Sequence, residues 1–468
     1  MTVMKKVFVF CIGGTGIRVM KSITMLMASG MNTNGYTVVP IIIDPHLDLE
    51  EKKNLHSLID NYEKIYKETI NNGTSTLNPL SGFFNSEIQT IGEINNQQND
   101  THQSVGSNEK FRSYINMSNL GTTDINNYFV ETLFSTKNLN NPLSVGFKGN
   151  PNVGTVVLGE MIENADWFKA FKIHCEKDDR VFIISSIFGG TGASGFPLIE
   201  KKIKNASQQP AVKNVVMGAV TVLPYYGLKD PSTNNSDIDS SNFYTKTKAA
   251  LAYYEKKIES DFLYYIGEKT LRQVYENDEA KQEDTANFIE LIAASALFDF
   301  LKREKPERQQ YLSRAIEDDK ESMSITSLGS GYNDIVKSVA DYMLLRQLIN
   351  DVPNESFFPL VKNRGLNSAF YKDQPFQNLK KFTDTYFNWY HELATNKRAF
   401  APLHYDNPRQ MSGWIKHMEL DARDDSYYLL EMIKASNAHN EKDHSNKFRF
   451  FLQFAYDAIN CYTNKLDK

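Results

Sequence analysis

"VFIISSIFGGTGASGFPLIEKKIK", residues 181–204, decides how the rest of the chain is read. A run of β-branched and aromatic residues predicts a buried strand. Glycines at 189, 190, 192 and 195 predict a bare turn, and a helix is expected from Pro197 to Asn205, with proline in the first turn where helices tolerate it. "VFVFCIGGTGIRVMKS", residues 7–22, repeats the arrangement near the N-terminus. There the pattern predicts a strand over residues 6–12 and a helix from Thr15 to Ser29.

Further strands are expected in "YTVVPIIIDPH", ending near Asp44, in "VKNVVMGAVTVLPYY" and in "DFLYYIGEKT". Helical patterns lie between them, including "ADWFKAFKIHCEK" and "NFYTKTKAALAYYEKKI". "DTANFIELIAASALFDFLKRE" is apolar on most sides and reads as a buried helix. Strands alternating with helices predict an α/β fold, a parallel sheet flanked by helices. Residues 50–145 are a long polar stretch that begins helical and passes through the Asn/Gln-rich "EINNQQNDTHQSVGSNEK", read as an insertion or loop. Beyond residue 304 one strand is expected in "SMSITSL", followed by helical, aromatic-rich sequence. The expected organisation is an α/β domain over 1–282, a central linking helix over 283–303 and a mostly helical C-terminal domain over 304–468.

Composition narrows the function classes. The 468 residues carry 41% hydrophobic and 23% charged side chains, an ordinary globular balance. A net charge of −5 gives no nucleic-acid signal. Cys11, Cys175 and Cys461 are isolated and odd in number, which fits neither a disulfide framework nor a metal cluster and suits a reducing cytosol. No metal site is expected from the sequence. "MTVMKKVFVFCIGG" could open a signal peptide, but its glycines interrupt the apolar run at once. No run approaches the ~20 apolar residues of a membrane span, so a cytoplasmic location is expected.

The two glycine turns point to an anion. A parallel sheet lines up its strand C-termini along one edge, where ligands bind. A helix N-terminus at that edge offers unpaired N–H groups and a partial positive charge. Glycine lets the backbone approach an anion without a Cβ in the way. Thr15, Thr191 and Ser194 can add hydroxyl donors. Two such turns on one edge could clasp a polyphosphate between them. Neither turn carries the Walker lysine, because no G-x-x-x-x-G-K-[ST] occurs.

The motif Phe188–Gly195, F-G-G-T-G-A-S-G between a strand and a helix, resembles the signature loop of the tubulin/FtsZ superfamily. Gly13, Gly14, Thr15 and Gly16 match its earlier glycine loop, and "GNPNVG" at Gly149–Gly154 is similar to a third loop of FtsZ, in the same order. The closest likeness is to divergent bacterial tubulin-like proteins. The resemblance implies a nucleotide site formed by Gly13, Gly14, Thr15, Gly16, Asp44, Gly149, Asn150, Gly189, Gly190, Thr191, Gly192, Ala193, Ser194, Gly195 and Asn287. Asp44 would lie near phosphate or its Mg²⁺, and Asn287 would contact guanine. It further implies GTP or GDP as ligand and head-to-tail self-assembly into filaments or rings, with hydrolysis completed by a carboxylate of the next subunit. The nearest candidate for that carboxylate is Asp334, in "GSGYNDIVKS" (329–338); a helix cap made by Asn333 or Asp334 explains the same residues. Glu268 and Glu283 stand where the superfamily has base-contacting side chains, so this chain departs from the guanine-binding pattern there. Partner proteins could be held by the C-terminal region or by the 50–145 stretch.

Two other readings remain open at this level. One is a non-hydrolysing scaffold on the same fold. The other is an NAD(P)-dependent oxidoreductase, since Gly190–Gly195 fits G-x-G-x-x-G and Tyr244-x-x-x-Lys248 resembles a dehydrogenase pair; the acidic residue expected at the end of the next strand is missing, and Asp230 comes late. His46, beside Asp44, is the one histidine near the predicted site and reads as a loop residue.

Overall fold

The computed structural model describes residues 5–46, 49–71, 76–96, 109–121, 123–228, 242–269, 273–275, 277–278, 281–282, 285–316, 322–323, 333–351, 366–400 and 446–466. Six strands form one all-parallel sheet: β1 (Lys5–Ile12), β2 (Tyr36–Ile43), β3 (Arg180–Ser186), β4 (Val216–Val222), β5 (Phe262–Glu268) and β6 (Gln310–Ile316). Their order across the sheet is β6-β5-β4-β3-β1-β2. β1 runs beside both β2 and β3, with Val9 opposite Pro40 on one side and Phe182 on the other. The chain therefore leaves β1 towards one edge, returns, and builds the rest of the sheet in the opposite direction. The reversal lies between β1 and β3, the position where open α/β sheets leave a crevice beyond their strand C-termini.

Residues 7–12 of β1, all of β2 and residues 181–186 of β3 are buried, because helices cover both faces. The first layer holds α1 (Gly13–Ala28), α2 (Glu50–Ile70) and the central helix α7 (Phe288–Lys302), with α8 (Asn333–Asp351), α9 (Gln374–Thr395) and α10 (Lys447–Leu466) packed outside them. The second layer holds α3 (Pro151–Asn164), α4 (Asp166–His174), α5 (Gly190–Lys204) and α6 (Phe243–Lys257). α4 seats Phe171 edge-on against Phe8 and Phe10 of β1, with ring centres 4.9 and 5.2 Å apart. α7 buries nearly every side chain, as its all-round apolar sequence predicts. Among the described residues no helix is long and apolar enough to cross a membrane.

Three local expectations change. Both glycine turns belong to the helices that follow them: α1 starts at Gly13 and α5 at Gly190. Glycine is a poor helix former, but packing against neighbouring backbone outweighs propensity here. Pro197 consequently sits inside α5 rather than in its first turn. A proline there leaves the carbonyl of residue i−4 without its helix donor, and the Tyr254 hydroxyl donates to that oxygen, on Ala193, at 3.4 Å. The sixth strand, "QYLSRAI", follows the polar run 303–309 and has exposed Tyr311, Ser313 and Ala315 on one side, as befits a sheet edge. Of the expected strand "SMSITSL", Ser322–Met323 pairs with Ala399–Phe400, and 324–328 lie outside the described residues. In the 50–145 stretch, α2 forms where the pattern predicts it, and Phe83, Phe84 and Phe111 are fully buried; residues 97–108 lie outside the described set.

Candidate functional site

The C-terminal ends of β1 and β3 bring the two glycine turns together. Gly13 adopts φ +72°, and a Cβ added there would lie 3.4 Å from Thr191 Cβ and 3.7 Å from the Gly192 nitrogen. The third turn closes the group: a Cβ on Gly190 would stand 3.0 Å from the Asn150 nitrogen and 3.2 Å from that of Gly149. Gly13, Gly190–Gly192 and Gly149–Asn150, expected to share one ligand, are thus neighbours at the sheet's reversal point.

Each turn opens a helix. α1, α3 and α5 begin at Gly13, Pro151 and Gly190, and none has a side-chain N-cap or an acidic residue in its first turn. By contrast, α7 begins with a full capping box: Asn287 accepts from the Ile289 amide, and Glu290 accepts from the Asn287 amide. α2 carries Glu50 and Glu51 in its first turn. The three bare N-termini sum their partial positive charge where the turns meet.

The third turn is strained. Gly146, Lys148 and Gly149 take φ of 77°, 44° and 72°. For lysine this left-handed conformation costs about 1–2 kcal/mol. Such strain collects at ligand-binding loops. Asn150 stabilises the turn from within, donating Nδ2 to the Phe147 and Lys148 carbonyls at 3.2 Å each. From α6, Lys246 Nζ donates to the Gly149 carbonyl at 2.8 Å.

Beside the first turn lies a buried polar network. Arg18 on α1 donates Nε to Glu290 at 2.7 Å and Nη2 to the Tyr225 hydroxyl at 3.0 Å. Tyr225 in turn donates to the same Glu290 oxygen at 2.6 Å. Arg18 also pairs with Glu51 at 3.5 Å and reaches Thr15 Oγ1 at 3.5 Å. Burial pushes the Glu290 carboxyl up, and the Arg18 charge is the largest force opposing it. A cavity of about 580 Å³ opens beside Arg18, walled by Ile17, Glu51, Glu290, Trp389 and Glu392 among others. Phe188, Tyr225, Tyr226 and Phe243 form a ring cluster that anchors the second turn, with centres 4.8–6.2 Å apart.

The remaining predicted residues divide. Asp44, the residue after β2, is buried; burial raises its carboxyl, opposed by the His46 amide bond at 2.8 Å and the charges of Lys52, His46 and Arg18. Asn287 is 1% exposed, and its Nδ2 has no acceptor; the cap fixes which end of the amide carries that donor. Ser194 turns its hydroxyl back to the Gly190 and Thr191 carbonyls, inside α5. Asp334, exposed in the first turn of α8, lies at the other end of α7, in a cleft with Asp299, Arg303 and Arg314. Glu268 forms a buried ion pair with Arg398. Tyr244 and Lys248 are exposed on α6, while Asp230 and Glu283 lie outside the described residues.

Sequence reasoning missed Arg18, Tyr225, Glu290 and Lys246. An arginine two positions beyond "GGTG" and tyrosines ending "TVLPYY" were visible signals, but their partner Glu290 is 272 positions from Arg18. No protein-family model matches the chain, and no curated protein matches its sequence.

Proposed function

We propose that this chain is a tubulin/FtsZ-like nucleotide-binding protein that holds a guanine nucleotide at the junction of its three glycine turns. The observation that carries this reading is the convergence of three uncapped, acid-free helix N-termini at the reversal point of a parallel sheet. Backbone amides there can neutralise a polyphosphate without a Walker lysine. The unpartnered, buried Asn287 Nδ2 is a donor suited to an acceptor on a base; leaving such a group unpaired costs about 1–3 kcal/mol. A Mg²⁺ ion, which typically keeps phosphate and water ligands, would find its protein oxygen on Asp44, next to the turns.

In this reading the protein assembles head to tail. A carboxylate at the opposite pole, with Asp334 as the candidate, completes the site of the next subunit and orients the attacking water. Such a heterologous contact propagates into filaments or rings. The distance of Asp334 from its own glycine turns favours action in trans over action within one chain. A non-hydrolysing scaffold draws support from Glu268, which is held by Arg398 rather than presented to a base.

Release of bound ligand from purified protein, followed by mass identification, tests the reading. GDP or GTP is expected. An adenine nucleotide would overturn the guanine assignment, and protein that neither carries nor takes up any nucleotide would overturn the site. Phosphate release measured against protein concentration separates hydrolase from scaffold: a split site gives specific activity that rises steeply with concentration.

A further inference from the structure

We propose that the helix Ile125–Leu133 is a docking surface for a second copy of this chain, pairing with the same helix of that copy about a two-fold axis. The inference does not depend on the nucleotide reading. The helix is well specified: the Asp124 carboxylate caps it, accepting from the Asn126 amide at 2.8 Å. Its inner side is held by half-buried Val130 and by Phe134, the residue after the helix, whose ring centre lies 4.9 Å from that of buried Phe111. Its outer side is apolar and bare. Ile125, Tyr128, Phe129 and Leu133 are 80%, 57%, 63% and 52% exposed, and none of the nine residues is buried. The four recur at helical spacing and form one stripe. Thr132 joins it, with its hydroxyl turned back to the Tyr128 carbonyl at 2.8 Å. Among the described residues, four of the nine exposed large apolar side chains are thus gathered on a single helix.

Taking about 150–250 Å² for each such side chain, the four leave roughly 500 Å² of apolar surface in water, towards the upper end of what a monomer exposes. Two copies that cover this stripe with each other remove about 1,000 Å² from water, the size at which a specific interface begins. The stripe complements itself. Antiparallel pairing centred on Phe129 sets Ile125 of each copy against Leu133 of the other and Glu131 against Asn127, so no like charges meet. The helix carries no lysine or arginine, which argues against an anionic lipid surface as its occupant.

An interface of this size gives a weak, reversible dimer. Sedimentation velocity of the full chain without nucleotide, from about 1 to 200 μM, is expected to show monomer passing to dimer. Phe129→Glu should weaken the association roughly thirty-fold or more, because it places a charge at the centre of the contact. Ile173→Glu, at a comparably exposed apolar position on α4, should dimerise as wild type. Both positions are exposed in the single copy, so both variants should melt with the wild type, which separates lost docking from misfolding. Phe129→Cys should on mild oxidation give a covalent dimer above the background set by the three native cysteines, since the two-fold axis brings that position against itself. A wild type that stays monomeric over the whole range overturns the inference, as does a dimer that Phe129→Glu leaves intact or that Phe129→Cys fails to link. Binding to neutral phosphatidylcholine vesicles that Phe129→Glu abolishes, in a chain that stays monomeric, assigns the stripe to a lipid surface and equally overturns it.

Discussion

The two ends of the sheet are finished differently. At the N-terminal end, side chains close the open backbone groups. Asp179 accepts from the Lys6 and Glu176 amides at 2.7 and 2.9 Å, and Asp261 accepts from the Met217 amide at 2.8 Å. Arg180 donates to the carbonyls of Phe300 and Arg303, capping the end of α7. At the C-terminal end, three helices begin with no side-chain cap and no acid in the first turn. The first-turn amides of those three neighbouring helices have no side-chain cap, which suits the anion proposed above.

Substitutions at the two poles should separate stability from binding. The largest effect is expected at Arg18, because removing one partner of a buried ion pair strands the other: Arg18→Met should cost about 3–5 kcal/mol in denaturant unfolding. Little change would mean that the Glu290 carboxyl is neutral in the fold.

Gly192→Ala comes next. The new Cβ would stand 2.5 and 2.8 Å from the Ser186 oxygen and nitrogen, which are backbone atoms with little room to shift. A loss of about 1–3 kcal/mol is expected from such overpacking, together with loss of nucleotide binding as the turn moves.

Arg180→Ala sharpens the contrast from the other pole. It removes two charge-assisted bonds to helix carbonyls and should cost about 1.5–3 kcal/mol, yet leave the nucleotide affinity within two-fold, an estimate of roughly nil effect at that distance. A large affinity change would break the proposed division between a structural and a binding pole.

The smallest effect has the opposite sign. Gly159, inside α3, has nothing within 4 Å of an added Cβ, whereas Gly154 on the same helix would meet Ser194 Oγ, Phe147 and the Gly190 carbonyl. Gly159→Ala should therefore stabilise the protein by about 0.5–1 kcal/mol, read as a raised melting temperature.

What the sequence disclosed follows the range of the forces involved. Strand, glycine turn and helix in "VFIISSIFGGTGASGFPLIEKK" are local patterns, so the parallel sheet was legible. The start of α5 was not, because glycine propensity argues against a helix there and only contacts such as Gly192 against Ser186 reverse it. Pro197 misleads for the same reason: Tyr254, which takes over the freed carbonyl, lies 61 residues from Ala193. β6 was hidden by the polar run that precedes it and by the one-sided exposure of an edge strand. At the site, the glycines were readable because each turn needs them locally. Arg18, Tyr225, Glu290 and Lys246 were not, since ordinary charged and aromatic residues gain their meaning from distant partners.

Hydrogen exchange read by mass spectrometry, with and without added GDP, bears most directly on whether the turns act as one. Peptides covering 7–22, 146–156 and 184–196 should slow together and to a similar degree, while the end of α7 at the opposite pole, residues 299–303, changes less. Protection confined to a single turn, or to none of them while nucleotide is bound elsewhere, would contradict the account.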